Sequence, residues 1–539
     1  MWVNDEMPAT ALETHYGDRV IRCFRERPAD LNQLLPAALA AASDQEALVH
    51  GDIRITYRAL ETRVSRVAAG LAANGVGPGD RVALIVDNRV EFVELMLATW
   101  RLGAVLVPLN TRDRMAGYLH ALEDSGARLL VYEPEVRDRL PESDDLPTLK
   151  RRFCAAEDCG APSYGQLLGH GERLEAAEVV EEDTAAILYT SGTTGKPKGA
   201  MLTHMGIIHS VLHFEICMGL GHEERTLITV PMSHVTGLVA LVVTCLRAAA
   251  TLVIQTEFRA RDFLALAERE RMTHTVLVPA MYNLCLLDQD FDRYDLSAWR
   301  IGGYGGAPMP EVTITKLAEK LPQLQLMNAY GATETTSPAT MMPPALTAGR
   351  GDSVGVPLPC AEVVLMDEQG REVRQGESGE VWIRGPMVVP GYWNNTEATA
   401  REFTGGFWRS GDIGSMDADG FLYVFDRKKD MINRGGYKIF TSEVENTLLS
   451  HPSVAEAAVV GTPCPVLGER VHAVVVVRNG DVSEEELRSH CAEFLSDYKV
   501  PERCTFRTEP LPRNPNGKVL KRALREVLAD VAGQPSRSP

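Results

Sequence analysis

RVALIVDNRVEFVELMLATWRLGAVLVP, residues 81–108, decides the fold class. Residues 81–86, an apolar run led by Arg81, read as a buried strand. Residues 89–102 carry apolar side chains at helical spacing and read as an amphipathic helix. Residues 104–108 return to a short apolar run, the next strand. Strand, helix and strand in such close succession build a parallel sheet with helices on its faces. The rhythm recurs as a strand at 226–230, a helix from Val239, a strand at 251–254, a helix at 261–271 and a strand at 275–278. After Gly355 the texture changes to short strands at 362–366, 379–384 and 421–426, separated by turn residues with no long helix between them, which suggests a small β-rich subdomain. From Arg427 onward the pattern is mixed: a helix at 442–449, strands at 457–460 and 471–477, a helix at 484–494 and a helical end after Lys518. The chain therefore reads as α/β. Residues 1–426 make a large N-terminal part of two doubly wound α/β subdomains and the β-rich one; residues 427–539 make a smaller α+β C-terminal domain.

The bulk properties agree. A length of 539 residues exceeds one ordinary core, so several subdomains are expected. The net charge of -18 disfavours a general affinity for nucleic acid or an anionic membrane, both of which need a basic face. A few local cations can still bind a small polyanion. Residues 1–18 lack a basic stretch followed by an apolar run, so no secretory signal is read. Residues 238–246 are too short to span a bilayer and read as a buried helix. The ten cysteines form no C-x-x-C pair; Cys154 and Cys159 lie closest, and reduced thiols in a cytoplasmic protein are the expectation. Residues 536–539 carry no peroxisomal address.

The strongest single feature is YTSGTTGKPKG, residues 189–199, after the apolar run 185–188. Gly192, Gly195 and Gly199 let a backbone approach an anion closely. Thr190, Ser191, Thr193 and Thr194 supply hydroxyls, and Lys196 and Lys198 add positive charge, so the parts for holding a triphosphate are present. It is not the common NTPase loop: Thr190 stands where the first glycine belongs, and Pro197 replaces the hydroxyl residue and has no N–H to donate. The alternative, a polar surface loop, accounts less well for two lysines after a buried strand. His209 and His213 have the spacing of a helical metal pair but no third ligand, and chance pairing is the better reading.

With this loop the sequence resembles the adenylate-forming superfamily of acyl-CoA and aryl-CoA synthetases, peptide-synthetase adenylation domains and luciferases. The resemblance runs from about residue 48 to 525, with the motifs in family order. It implies ATP, Mg²⁺ and coenzyme A as cofactors, and it implies roles for matching residues. In NAYGATE, residues 328–334, Asn328 and Gly331 border the nucleotide, Tyr330 stacks on adenine, Thr333 donates to the α-phosphate and Glu334 binds Mg²⁺. Gly305, Gly306 and Ala307 form the turn that passes the nucleotide. In WRSGD, residues 408–412, Asp412 accepts from the ribose hydroxyls, and Arg427 also reaches the ribose. Lys429 matches the hinge position, which makes the C-terminal domain mobile. In LPRNPNGK, residues 511–518, Lys518 bridges the substrate carboxylate and the α-phosphate; relatives often carry Thr where Asn514 stands. Taken alone, each of these would be an ordinary cap, turn or surface charge.

The implied activity is that of an acid–thiol ligase. A carboxylate attacks the α-phosphorus of ATP, pyrophosphate leaves, and a thiol then attacks the acyl-adenylate. For the second step the loop 434–438 arrives, with Gly435 and Gly436 lining a pantetheine passage or forming a plain β-turn. His234, in PMSH at 231–234, borders the acyl pocket as a gate. Thr236, Ala240, Met281, Gly303, Tyr304 and Gly305 fall at pocket positions; they are small or apolar and offer no second cation, so an aryl acid or a medium-chain fatty acid is expected, with a lean to aryl. The alternative acceptor is a separate carrier protein. A silent nucleotide-binding regulator would have no reason to keep Lys518 beside Lys198, Glu334, Asp412 and Arg427. A monomer or homodimer, without nucleic acid or membrane span, is expected.

Overall fold

The computed structural model describes residues 7–157, 162–168, 174–190, 196–478, 482–513 and 519–532. Residues 81–108 fold as read: strand Arg81–Ile85, helix Val90–Arg101 and strand Val105–Pro108, the two strands parallel and in register from Arg81 opposite Val105. They lie in a six-stranded sheet ordered Lys198–Thr203, Thr184–Thr190, Val105–Pro108, Arg81–Ile85, Leu129–Tyr132, Arg151–Cys154. All pairs are parallel except the first, an antiparallel hairpin.

The amphipathic reading of Val90–Arg101 is corrected. The helix is buried on nearly every side, Glu94 and Arg101 included. It packs against strands of both large sheets and against helix Tyr57–Ala73, so it has no solvent face. Its charges are matched internally: Glu94 by Arg63 and the Tyr164 hydroxyl, Arg101 by Glu61 at 2.7 Å. A buried charge survives only with such partners.

The second large sheet has nine strands, with Gln325–Tyr330, Ile301–Tyr304, His274–Leu277, Arg225–Ile228 and Thr251–Ile254 in adjacent parallel order at its centre. Residues 238–246 are buried as expected, the stretch Thr236–Val243 being a π-helix that leads into α-helix Thr244–Arg247. The β-rich reading is matched by a five-stranded sheet drawn from residues 362–427. A hairpin of Thr10–His15 and Arg19–Phe24 was not read from the sequence.

The chain divides into two compact units. The first comprises Met1–Val364, Trp382–Arg409 and Asp419–Leu422; the second comprises Leu365–Val381, Ser410–Ala418 and Tyr423–Pro539. In the second, strands Val454–Cys464 and Gly468–Val477 pair along their whole length, longer than read. Both faces are covered because apolar residues occur at consecutive positions. Val471, Ala473 and Val475 join the cluster of Val444, Leu448 and Leu487, while Val474 and Val476 join that of Leu511 and Leu524. Helices Thr441–Ser450, Glu484–Phe494 and Lys521–Ala532 supply the cover. Among the described residues no helix is long and apolar enough to cross a membrane. Among the described residues eight cysteines are free and Cys154 is disulfide-bonded, which corrects the reading of uniformly reduced thiols.

Candidate active site

Two neighbouring parallel strands of the nine-stranded sheet, Ile301–Tyr304 and Gln325–Tyr330, carry sequence-marked residues past their C-terminal ends, where α/β sheets hold ligands. Gly305, Gly306 and Ala307 follow the first strand; Gly331 and Thr333 follow the second, whose own Asn328 and Tyr330 lie at its end. A side chain at Gly305 would put its Cβ 2.4 Å from the Ala329 carbonyl oxygen, so only glycine lets the strand ends run this close. Asn328 is buried and donates to the Ser353 carbonyl at 3.2 Å. Glu334 sits buried in the 3₁₀ turn Thr333–Thr335, which the Thr335 hydroxyl pins by accepting from the Ala332 N–H at 2.9 Å. Thr336 and Ser337 follow with φ of 48° and 43°. Two successive non-glycine residues in the left-handed region cost about 1–3 kcal/mol each, and such strain persists where surrounding structure enforces it.

The hairpin of the six-stranded sheet brings a second group to Glu334. Thr190 and Lys198 face each other at its end; Ser191, Gly192, Thr193, Thr194 and Gly195 lie outside the described residues. The Lys198 ammonium is 2.5 Å from Glu402 Oε2 and 4.1 Å from the centre of the Tyr392 ring. The Tyr392 hydroxyl lies 2.6 Å from Glu402 Oε2 and 2.8 Å from Glu334 Oε1, and its one hydrogen serves one carboxylate at a time. Burial pushes the Tyr392 phenol well up, and the charges of Glu334 and Glu402 push it further. Burial raises the Glu402 carboxyl, but hydrogen bonds from Lys198, Tyr392 and Arg401 prevail and hold it below its usual value.

The frame around this network is built from backbone pairing. Trp393 N–H donates to the Gly199 carbonyl at 2.7 Å, and Met201 N–H to the Gly391 carbonyl at 3.2 Å, which fixes Tyr392 beside the strand bearing Lys198. His120 Nε2 donates to the Pro197 carbonyl at 2.8 Å, and Tyr189 donates to Asp124 at 2.6 Å. Tyr392, Glu402 and His120 carry no motif and were missed from sequence; Glu402 lies 204 residues from its partner, beyond any local pattern.

The remaining marked residues lie elsewhere. His234 is half-buried just before the π-helix, its Nδ1 accepting from the Thr236 N–H at 3.4 Å. The preceding Met232 is held by buried Asn88, whose Oδ1 accepts its N–H at 2.8 Å and whose Nδ2 donates to the Val230 carbonyl at 2.9 Å. Of the pocket positions, Ala240 and Tyr304 are buried and Met281 half-buried; burial pushes the Tyr304 phenol up to about 12. In the second unit Asp412 is buried and pairs with Arg427 Nε at 2.6 Å. Gly435 and Gly436, with φ of 60° and 93°, form the two-residue turn between strands Ile432–Arg434 and Tyr437–Ile439. Lys518 lies outside the described residues. His209 and His213 are enclosed in helix His204–Met218, accepting backbone N–H groups of Phe24 at 3.3 Å and Cys360 at 3.4 Å, which is a packing role.

A buried carboxylate and a paired lysine at adjoining strand ends suit a phosphate-bearing ligand, and comparison with known proteins agrees. The AMP-binding enzyme family matches residues 35–393, and the AMP-binding enzyme C-terminal domain matches residues 443–518. The chain is 36% identical to the feruloyl-CoA synthase of an Amycolatopsis species over 89% of this chain and 95% of that one. It is 34% identical to the long-chain-fatty-acid–CoA ligase FadD13 of Mycobacterium tuberculosis over 88% of this chain and 93% of that one. The solved structure of o-succinylbenzoate CoA synthetase from Bacillus subtilis, in complex with its acyl-adenylate intermediate OSB-AMP, superimposes with a TM-score of 0.83 at 31% identity, covering 91% of this chain and 97% of that one. With both domain families matched in order, the chain belongs to the AMP-binding, adenylate-forming enzymes.

Proposed function

We propose that this chain, an AMP-forming acid–CoA ligase with ATP and CoA as substrates, activates an aryl acid or a medium-chain fatty acid, with aryl acids preferred. The observation that carries the reading is the meeting on Tyr392 of Lys198, at the start of strand Lys198–Thr203, and Glu334, in the turn after strand Gln325–Tyr330. The feruloyl and o-succinylbenzoyl relatives support an aryl acid, and the fatty-acid relative keeps the alkyl alternative open.

In the first half-reaction an oxygen of the substrate carboxylate bonds to the α-phosphorus and the bond to pyrophosphate breaks. The enzyme supplies positioning and charge neutralisation rather than a nucleophile. Lys198 and the hydroxyls and glycines of residues 190–195 hold the β- and γ-phosphates, Thr333 donates to the α-phosphate, and Lys518 draws the two anions together. Gly305, Gly306, Ala307, Asn328, Tyr330 and Gly331 border the adenine; Asp412 and Arg427 hold the ribose. Glu334 fits a Mg²⁺ site, being a buried carboxylate whose Oε1 accepts from the Tyr392 hydroxyl. A Mg²⁺ held there would supply positive charge to offset that of the phosphates. In the second half-reaction the CoA sulfur bonds to the acyl carbon, the bond to AMP breaks and the thiol proton is lost to solvent. Here residues 427–539 turn about Lys429, Lys518 withdraws, and the Gly435–Gly436 turn borders the pantetheine while His234 gates the acyl pocket. We assign the enzyme to the cytoplasm, as a monomer or homodimer.

The test is acid-dependent pyrophosphate release with ATP and Mg²⁺ across aryl and C4–C12 acids, with and without CoA, in wild type and Lys518→Ala. Release that depends on an aryl acid, yields AMP and a thioester with CoA, and collapses in the variant is the expected result. Acid-dependent release without a CoA thioester would point to a carrier protein as acceptor. ATP binding with no release on any acid would overturn the reading.

A further inference from the structure

A lysine meant for phosphate has an acid of its own to contend with. Glu402 ends helix Thr396–Glu402, whose start is capped by Asn395 Oδ1 accepting the Ala398 N–H at 2.9 Å. Both its carboxylate oxygens are engaged: Oε1 accepts from Arg401 at 2.9 Å, and Oε2 meets Lys198 at 2.5 Å and the Tyr392 hydroxyl at 2.6 Å. The Lys198 and Glu402 side chains are 18% and 25% exposed, so their attraction is only partly screened by water. A carboxylate in this position repels an incoming polyphosphate and competes with it for the same ammonium.

We infer that Glu402 is a positioning residue that acts as the exchangeable counter-ion of Lys198: it holds the lysine between turnovers, yields it when a triphosphate enters, and takes it back as pyrophosphate leaves. The inference rests on the proposed reading of Lys198 as a phosphate ligand. Its logic is one of competition. Without Glu402 the ammonium has no partner to give up, so polyphosphate binds more tightly and departs more slowly. Tyr392 tempers the competition, because its hydroxyl bonds the same oxygen that Lys198 uses and spreads the interaction toward Glu334. A merely structural brace has the opposite signature: removing it would loosen Lys198 and weaken phosphate binding.

The experiment measures KM for ATP and the inhibition constant for pyrophosphate, with kcat and melting temperature alongside, in wild type, Glu402→Gln, Glu402→Asp and Lys198→Ala, and in Glu402→Gln combined with Lys198→Ala. Glu402→Gln should lower both constants about 3- to 10-fold, the range set by a partly exposed, charge-assisted pair. Glu402→Asp, which keeps the charge, should stay nearer wild type. The effect of Glu402→Gln should vanish when Lys198 is absent. If Lys198→Ala leaves both constants unchanged, the reading of Lys198 as a phosphate ligand fails. If Lys198→Ala weakens binding while Glu402→Gln also weakens it or leaves it unchanged, the counter-ion inference alone is overturned. Should Glu402→Gln not fold, Tyr392→Phe decides: loss of the shared hydroxyl leaves the Glu402 charge to Lys198 and should raise KM for ATP, and a fall would overturn the inference.

Discussion

The two units hold their polar groups by different means. In the first, His204, His209, His213 and His274 are each no more than 2% exposed. His204, His209 and His213 accept the backbone N–H groups of Leu31, Phe24 and Cys360, and His274 pairs with the Thr226 hydroxyl. Lys198 and Glu334 are likewise matched by side chains remote in sequence. In the second unit His451 is buried and His472 half-buried; Asp412 pairs with Arg427 fifteen positions on, and Gly435 and Gly436 are adjacent. A ring that accepts an N–H must be neutral, so the bonds held by His204, His209 and His213 depend on those rings staying unprotonated.

Acid should expose that contrast most strongly. Burial lowers the His204 and His209 rings to about 4 and the His213 and His274 rings to about 3, from an ordinary 6.5. Folded, they stay neutral where the unfolded chain takes up protons. The stability they confer is therefore complete above pH 6.5 and is lost as pH falls toward 4 and below. The loss is on the order of 10 kcal/mol for four such groups. Hydrogen exchange at pH 7, 5.5 and 4.5 should show helix His204–Met218 losing protection before strands Val454–Cys464 and Gly468–Val477. Simultaneous loss would break the contrast.

The next largest effect concerns the second unit. Asp412→Ala removes a buried charge-assisted acceptor of the Arg427 guanidinium, so kcat/KM for ATP should fall about 100-fold. The local character of the pair predicts little change in the melting of the first unit, which calorimetry can check. A smaller effect sharpens the division between half-reactions. Gly435 has φ of 60°, and Gly435→Ala costs about 1–2 kcal/mol of backbone strain in the turn. Single-turnover kinetics should show thioester formation slowed about tenfold and adenylation slowed less. Equal slowing would detach the turn from the thiol step.

What could be read in advance follows the same line. Arg81–Ile85, Val105–Pro108 and the central strands of the nine-stranded sheet were legible because apolar runs of strand length have one economical fate. The helix between them was legible as a helix but not as a buried one, because its internal charges mimic a solvent face until their partners Arg63, Tyr164 and Glu61 are in place. The hairpin Thr10–His15 with Arg19–Phe24 escaped because no strong alternation or two-residue turn signal marks it.

The sequence by itself determined the α/β class, the family and the strand-end and loop motifs. Periodicity, turn chemistry and contiguous motifs are properties of neighbouring residues, and the chain records them directly. Only the tertiary structure decided that Lys198 lies against Glu402, that Tyr392 joins that pair to Glu334, and that His204, His209 and His213 serve as buried acceptors. Hydrogen bonds and ion pairs depend on distances of a few ångströms between groups far apart in the chain. No local pattern encodes such a distance until the two sheets and the segments between them have packed.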